Sequence, residues 1–295
     1  MRLIQIPKPA YFNFSECLWF LDRGYDDCMH QVLPDSVRKI IPTADGKHLI
    51  EVADNDNHLD VAILSGQATP GSEKKIKEFI TQWFDVDRDL SGFYTLNAHQ
   101  NTRWLTDPYE GLRLVMIPDF FEAICWSVIG QQINLTFAFS LKRKLVELCE
   151  SPFEYDGYAH YSFPSAEKVA NLDIQDLKSI QFSQRKAEYL IGIARLFVSG
   201  AISYEQVASL GDTESMVAEL CQIRGIGQWS ANYVLMKTFN RMDCITHGDT
   251  GLQAAVRKKM ALDRKPTREE VIAFLQPFKG WESYVVFYLW RSLSF

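Results

Sequence analysis

The segment at residues 220–239, LCQIRGIGQWSANYVLMKTF, constrains the fold more than any other part of the chain. It predicts a helix ending near Ile223, a tight turn at Gly225-Ile226-Gly227, and a second helix starting at once. Two glycines around one apolar residue let the backbone turn sharply and come close to another surface. The first amides of the second helix are then left to point outward. Together with the helix dipole they suit a phosphate group and need few basic side chains. A Gly-x-Gly turn alone usually just joins two helices, so its weight depends on the rest of the sequence.

The rest divides by periodicity. Residues 48–53 (HLIEVA) and 58–64 (HLDVAIL) alternate apolar and polar side chains in part and flank the turn-forming run Asp54-Asn55-Asp56-Asn57, which predicts an antiparallel hairpin. Residues 74–84 place Ile76, Phe79, Ile80 and Trp83 at helical spacing. From Pro118 onward the pattern is helical, over 119–130, 184–197, 213–223 and 229–239, and no strand signal is expected there. The fold class is therefore α+β, with an N-terminal antiparallel sheet domain and then a helical body.

With 295 residues the chain is long enough for two or more domains. Its first residues, MRLIQIPKPAYFNF, lack the apolar core of a secretory signal, and the apolar stretch at 284–290 is far short of the ~20 residues a bilayer-spanning helix needs. A cytoplasmic protein with no membrane partner is expected. Cys17, Cys28, Cys125, Cys149, Cys221 and Cys244 are scattered with no CxxC pair, so neither zinc nor an iron-sulfur cluster is expected. The net charge of −6 disfavours nucleic acid at first sight. Residues 221–268 reverse the sign, with nine Lys and Arg against Asp243, Asp249 and Asp263. Most such runs form solvated helix faces. Coincidence with the Gly-x-Gly segment favours DNA.

Leu220, Ile223, the Gly225-Ile226-Gly227 turn, Trp229, Ala231 and the helix-start sequence His247-Gly248-Asp249-Thr250 together resemble the helix-hairpin-helix DNA glycosylase signature. The likeness extends to the 3-methyladenine DNA glycosylase II (alkylbase DNA glycosylase) branch through residues 11–23, 120–141, 163–202 and 280–290. It implies an N-terminal sheet domain at about 1–95 and a helical domain at 120–241 carrying the helix-hairpin-helix at about 213–239. A second helical subdomain would be made of 96–119 plus 242–295, with a central cleft between the two. The partner implied is double-stranded DNA containing alkylated bases; no cofactor and no obligate protein partner are expected, and a monomer suffices.

The resemblance places the catalytic carboxylate at Asp249. An Asp at a helix start is usually an N-cap. Thr250 and Gln253, however, fit a capping box, which would leave the Asp249 carboxylate free to face the cleft. Hydrolysis of an N-glycosidic bond builds oxocarbenium charge on the sugar, which a nearby anion stabilises while it orients or deprotonates water. Relatives that also cut the strand carry a Schiff-base lysine where this chain has Trp229, so a monofunctional enzyme is expected.

Trp229 and Tyr233 lie four apart on one predicted helix and can face one base pocket. The resemblance adds Phe20 and Trp290. Electron-rich rings favour a cationic alkylpurine by about 0.5–2 kcal/mol per contact. Gly225, Ile226, Gly227 and Arg224 are the expected DNA anchors. Gln132 is the expected wedge filling the gap left by a flipped base, with Ile133 as its alternative, although Gln131 and Gln132 also suit an ordinary interhelical loop. The resemblance also allows a monovalent ion on the backbone carbonyls of Cys221, Ile223 and Ile226.

Overall fold

The structure is a computed structural model that describes residues 2–293, without the side chain of Arg2. The chain opens with β1 (Arg2–Pro7) and α1 (Phe14–Leu21), whose N-cap Asn13 accepts from the Glu16 amide. Next come β2 (Gln31–Val32), β3 (Ser36–Thr43), β4 (Gly46–Asp54) and β5 (His58–Ile63). These form one antiparallel sheet of order β1-β5-β4-β3-β2. The expected hairpin is β4–β5, and β5 alternates as anticipated, with Leu59, Val61 and Ile63 inward. β1 and β3 went unread in the sequence. In β3 the alternation is lost because Val37, Lys39, Ile40 and Ile41 are all buried.

The helix α2 (Pro70–Trp83), capped by Thr69 and carrying Pro at its first turn, buries Ile76, Ile80 and Trp83. Then α3 (Ser91–His99) and α4 (Arg103–Thr106) lead to a segment at 112–118 without regular secondary structure, whose Met116 N–H donates to the Trp83 carbonyl at 2.7 Å. Its Arg113 is fully buried and solvated by carbonyls, donating to those of Asp85, Arg88 and Tyr11. Ile117 N–H donates to the Lys237 carbonyl at 2.7 Å, tying this segment to the helical body.

That body comprises α5 (Phe120–Ile129), α6 (Leu135–Cys149), α7 (Ala166–Ala170), α8 (Ile174–Ser179), α9 (Gln184–Val198), α10 (Tyr204–Ala208), α11 (Thr213–Leu220) and α12 (Gln228–Lys237). The last three helices are α13 (Thr250–Lys259), α14 (Arg268–Leu275) and α15 (Glu282–Arg291). The expectation of no strand beyond Pro118 fails at one place. β6 (Phe153–Tyr155) and β7 (Tyr158–His160) form a short hairpin around Asp156-Gly157, both at positive φ. This hairpin docks on the main sheet, where Arg38 Nη1 meets Asp156 Oδ2 at 3.1 Å and lies over the Tyr155 ring. Helix α15 carries eight buried residues in a row, and Tyr284 and Tyr288 on it reach back to Asp85 and the Leu112 carbonyl at 2.6 and 2.8 Å.

Candidate active site

The turn between α11 and α12 forms as the two glycines predicted, but they play unequal parts. Gly225 sits at φ +100°, and a Cβ there would lie 2.5 Å from the Tyr189 ring. Gly227 has φ −105° and open space where a Cβ would go, so neither backbone strain nor packing calls for glycine there. It is the N-cap of α12 and supplies no side-chain acceptor, so the first amides of that helix lack a side-chain cap. Ile226 is buried and can offer a ligand only its backbone. Gln131 holds the turn from below, donating to the Gly225 carbonyl at 2.8 Å and to Ser230 Oγ at 3.0 Å. Its neighbour Gln132 is exposed, in the left-handed region at φ +57°, on the same rim as the turn.

The basic run supplies fewer free charges than its count suggests. Lys237 is buried, Arg264 forms two bonds to Glu270, Lys259 lies 3.6 Å over Trp104, and the exposed Arg224 meets Glu188 at 3.1 Å. Arg257, Lys265 and Arg268 form no salt bridge among the described residues, although Arg268 attracts the neighbouring Glu269 carboxylate.

Asp249 departs from the sequence reading in an instructive way. The Thr250–Gln253 capping box does not form; Asp249 itself is the N-cap of α13, and its Oδ1 accepts from the Leu252 amide at 2.6 Å. Asp wins this position because it already has extended φ and ψ (−61°, 125°) one residue before the helix. The same Oδ1 accepts from Trp290 Nε1 at 2.7 Å. Both bonds fall on one oxygen, and Oδ2 has no partner among the described residues. Capping thus fixes the carboxylate without consuming it. Gly251 makes the arrangement possible, because a Cβ there would stand 3.1 Å from Trp290 Cδ1 and 3.2 Å from Asp249 Oδ1.

The aromatic side chains form an arc beside this carboxylate. Trp229 stacks on Tyr233 with centroids 5.4 Å apart, and Tyr233 lies 6.4 Å from Trp290. Trp290 continues to Phe287 at 6.3 Å, and Phe287 to Phe20 at 4.6 Å. Behind the arc lies a recess lined by Phe20, Arg23, Trp126, Phe139, Tyr233 and Lys237, among others. Trp126 Nε1 donates to the Tyr233 hydroxyl at 3.0 Å. Burial pushes the Tyr233 phenol up to about 12, with the Trp126 bond opposing it. Burial also holds the Lys237 amine well below its ordinary value, helped by the charge of Arg23.

This geometry can be set beside known proteins. Residues 125–279 match the HhH-GPD superfamily of base excision DNA repair proteins, and residues 20–124 match the N-terminal domain of 8-oxoguanine DNA glycosylase. A DNA-3-methyladenine glycosylase of Bacillus subtilis (strain 168) is 37% identical over 99% of this chain and 97% of its own. The chain belongs to the HhH-GPD superfamily of base excision DNA repair proteins. DNA-3-methyladenine glycosylase 2 of Escherichia coli (strain K12) is 26% identical over 62% of this chain and 61% of its own. In fold, the chain is similar to 3-methyladenine DNA-glycosylase from Archaeoglobus fulgidus, with TM-score 0.83 and 19% identity over 97% of both chains. It is also similar to MBOgg1 in complex with a DNA ligand, with TM-score 0.78 and 19% identity over 99% of this chain and 96% of that one.

Within this superfamily member, the four aromatic residues singled out in the sequence come together, although Phe20 is joined to the others only through Phe287. Trp126, Phe287, Arg23, Tyr189 and Gly251 were not singled out. Buried aromatics at helical spacing give no sign of which ring faces a site, and Gly251 looks like any glycine near a helix start. Of the three carbonyls named for a monovalent ion, that of Ile223 already accepts from the Ile226 amide at 2.9 Å. A carbonyl oxygen has two lone pairs, so the turn remains compatible with an ion. Among the described residues, no cluster of His, Cys, Asp and Glu could hold a metal, and no helix is long and apolar enough to cross a membrane.

Proposed function

We propose that this protein is a monofunctional DNA glycosylase that releases alkylated purines from double-stranded DNA, with Asp249 as its catalytic carboxylate. The observation that carries this reading is the Asp249 carboxylate, held through Oδ1 by Leu252 and Trp290 while Oδ2 stays open beside an aromatic arc. A glycosidic bond breaking at a cationic purine leaves positive charge on the sugar. A pre-oriented anion stabilises that charge at no cost in reorganisation and can direct water to the same carbon. Because alkylation makes the base a good leaving group, little acid catalysis is needed. Names of relatives support the alkylbase class.

The base is taken out of the duplex and stacks against Trp229 and Tyr233, with Trp290 and Phe20 completing the wall. The exposed Gln132 enters the vacated space, with Ile133 as the neighbouring alternative. The α12 amides, Gly225 to Gly227 and Arg224 hold the backbone; an ion on the carbonyls of Cys221, Ile223 and Ile226 would add positive charge there. Lys237 is no substitute for a Schiff-base lysine, being 2% exposed with its amine bound to the Val115 carbonyl. The deciding experiment incubates pure protein with methylated duplex DNA and measures released bases and alkali-labile sites separately. Bases released with abasic sites left uncut support the reading, and strand cleavage equal to base release refutes it.

A further inference from the structure

The recess behind the aromatic arc contains a guanidinium with nothing to bind. Arg23 follows α1, and its guanidinium lies 4.1 Å over the Phe20 ring and 5.6 Å from that of Tyr25. Its Nε is shut away from solvent without a partner, and none of its nitrogens has a hydrogen-bond acceptor among the described residues. The other charged groups lining the recess have mates. Lys142 Nζ meets Glu122 at 3.0 Å and Asp27 at 3.4 Å. Lys39 donates to the Met29 carbonyl at 3.1 Å, Lys237 donates to that of Val115, and His30 is bonded to that of Leu21. Buried polar groups in native proteins are nearly always satisfied, and an exception facing a cavity points to a ligand.

We propose that Arg23 reads the edge of the flipped base by donating to a carbonyl oxygen, which makes the site selective for 6-oxopurines over 6-aminopurines. The inference rests on the base pocket proposed above. A guanidinium has five donors and no acceptor. A guanine-type edge presents O6 to it, whereas an adenine-type edge presents an amino group and sets donor against donor. Phe20 holds the guanidinium plane, and Tyr233 is shared between recess and arc, so a base stacked on Tyr233 can turn its edge toward Arg23. Lys237, the other cation bordering Phe20 at 4.7 Å, has its amine taken by Val115. Arg23 is thus the donor left for the ligand.

The test uses methylated duplex DNA, which carries 7-methylguanine and 3-methyladenine, two cationic purines that differ at position 6. Initial release rates of both are measured by chromatography for the wild type, Arg23→Leu and Arg23→Lys, with thermal melting of each. Arg23→Leu is expected to lower release of 7-methylguanine relative to 3-methyladenine about tenfold or more, within the range of one lost guanidinium-to-base contact. Arg23→Lys, with one compact donor group, is expected to fall between. An unchanged ratio, or an equal loss of both purines, overturns the proposal. If Arg23→Leu does not fold, Arg23→Lys decides, and a ratio within about twofold of wild type refutes the proposal. Failure of the pocket reading shows separately, as undiminished release of both purines by Trp229→Ala.

Discussion

Replacing Gly251 by alanine tests whether the bond between Trp290 and Asp249 orients the carboxylate. The residue lies in the first turn of α13 with ordinary helical backbone, so alanine is favoured there by up to about 1 kcal/mol. The added methyl, however, meets Trp290 Cδ1 at 3.1 Å, Trp290 Nε1 at 3.4 Å and Asp249 Oδ1 at 3.2 Å. The indole must retreat by several tenths of an ångström, and the 2.7 Å bond lengthens or breaks. A hydrogen bond to a charged group contributes about 1.5–3 kcal/mol, so the helix gain offsets part of the loss and net stability changes by no more than about 2 kcal/mol. If most of that bond acts on the reacting carboxylate, base release falls about tenfold or more, since 1.4 kcal/mol is a factor of ten. The assay pairs initial rates of base release with thermal melting for Gly251→Ala, Trp290→Phe and the double variant. Both single variants are expected to be slow, and the double variant no slower than Trp290→Phe, because the two changes remove one interaction. Wild-type rates in Gly251→Ala, or losses that multiply in the double variant, would refute the reasoning.

Four further outcomes are expected. Asp249→Asn should lose at least about 100-fold in base release with nearly unchanged melting, because Asn caps helices as well as Asp; Asp249→Ala should also lose about 0.5–2 kcal/mol of stability, read from chemical denaturation. Borohydride should trap no covalent enzyme–DNA adduct; an efficiently trapped one would end the monofunctional assignment. Gly225→Ala should lower the melting temperature through its positive φ and the Tyr189 ring. Gly227→Ala, at an N-cap where alanine is the poorer residue, should lose about 1 kcal/mol or less of stability yet weaken DNA binding, and normal affinity would remove the turn from the binding surface. Gln132→Ala should slow release from paired duplex more than from single strands, while Gln132→Leu keeps much of the duplex rate. Equal losses on both substrates would shift the wedge to Ile133.

What the sequence revealed depended on how local the cause was. The β4–β5 hairpin and the turn between α11 and α12 are set by neighbouring residues, and both formed, although α11 ends at Leu220 and not near Ile223 as expected. β3 was hidden because its Lys39 is buried beside apolar neighbours, with its amine held by the Met29 carbonyl, so the strand loses the alternation that marks a half-buried one. The role of Asp249 was half legible. Its position at a helix start was plain, but the choice of cap between Asp249 and Thr250 turned on backbone angles, and the second bond comes from a tryptophan 41 residues away. Arg23 was illegible for the same reason: an arginine lacking a partner is a fact about three-dimensional neighbours, and nothing in its sequence surroundings shows it.

Helix α15 sets a timetable for synthesis. Asp249 can cap α13 as soon as that helix is made, but its orienting indole comes from Trp290, and the same helix locks onto Asp85 and Leu112 through Tyr284 and Tyr288. Until α15 is in place, Asp249 Oδ1 is held by the Leu252 amide alone, and the indole that completes its orientation is missing. A chain stalled or clipped before α15 would lack eight consecutive buried residues of the core as well as the Trp290 bond to Asp249.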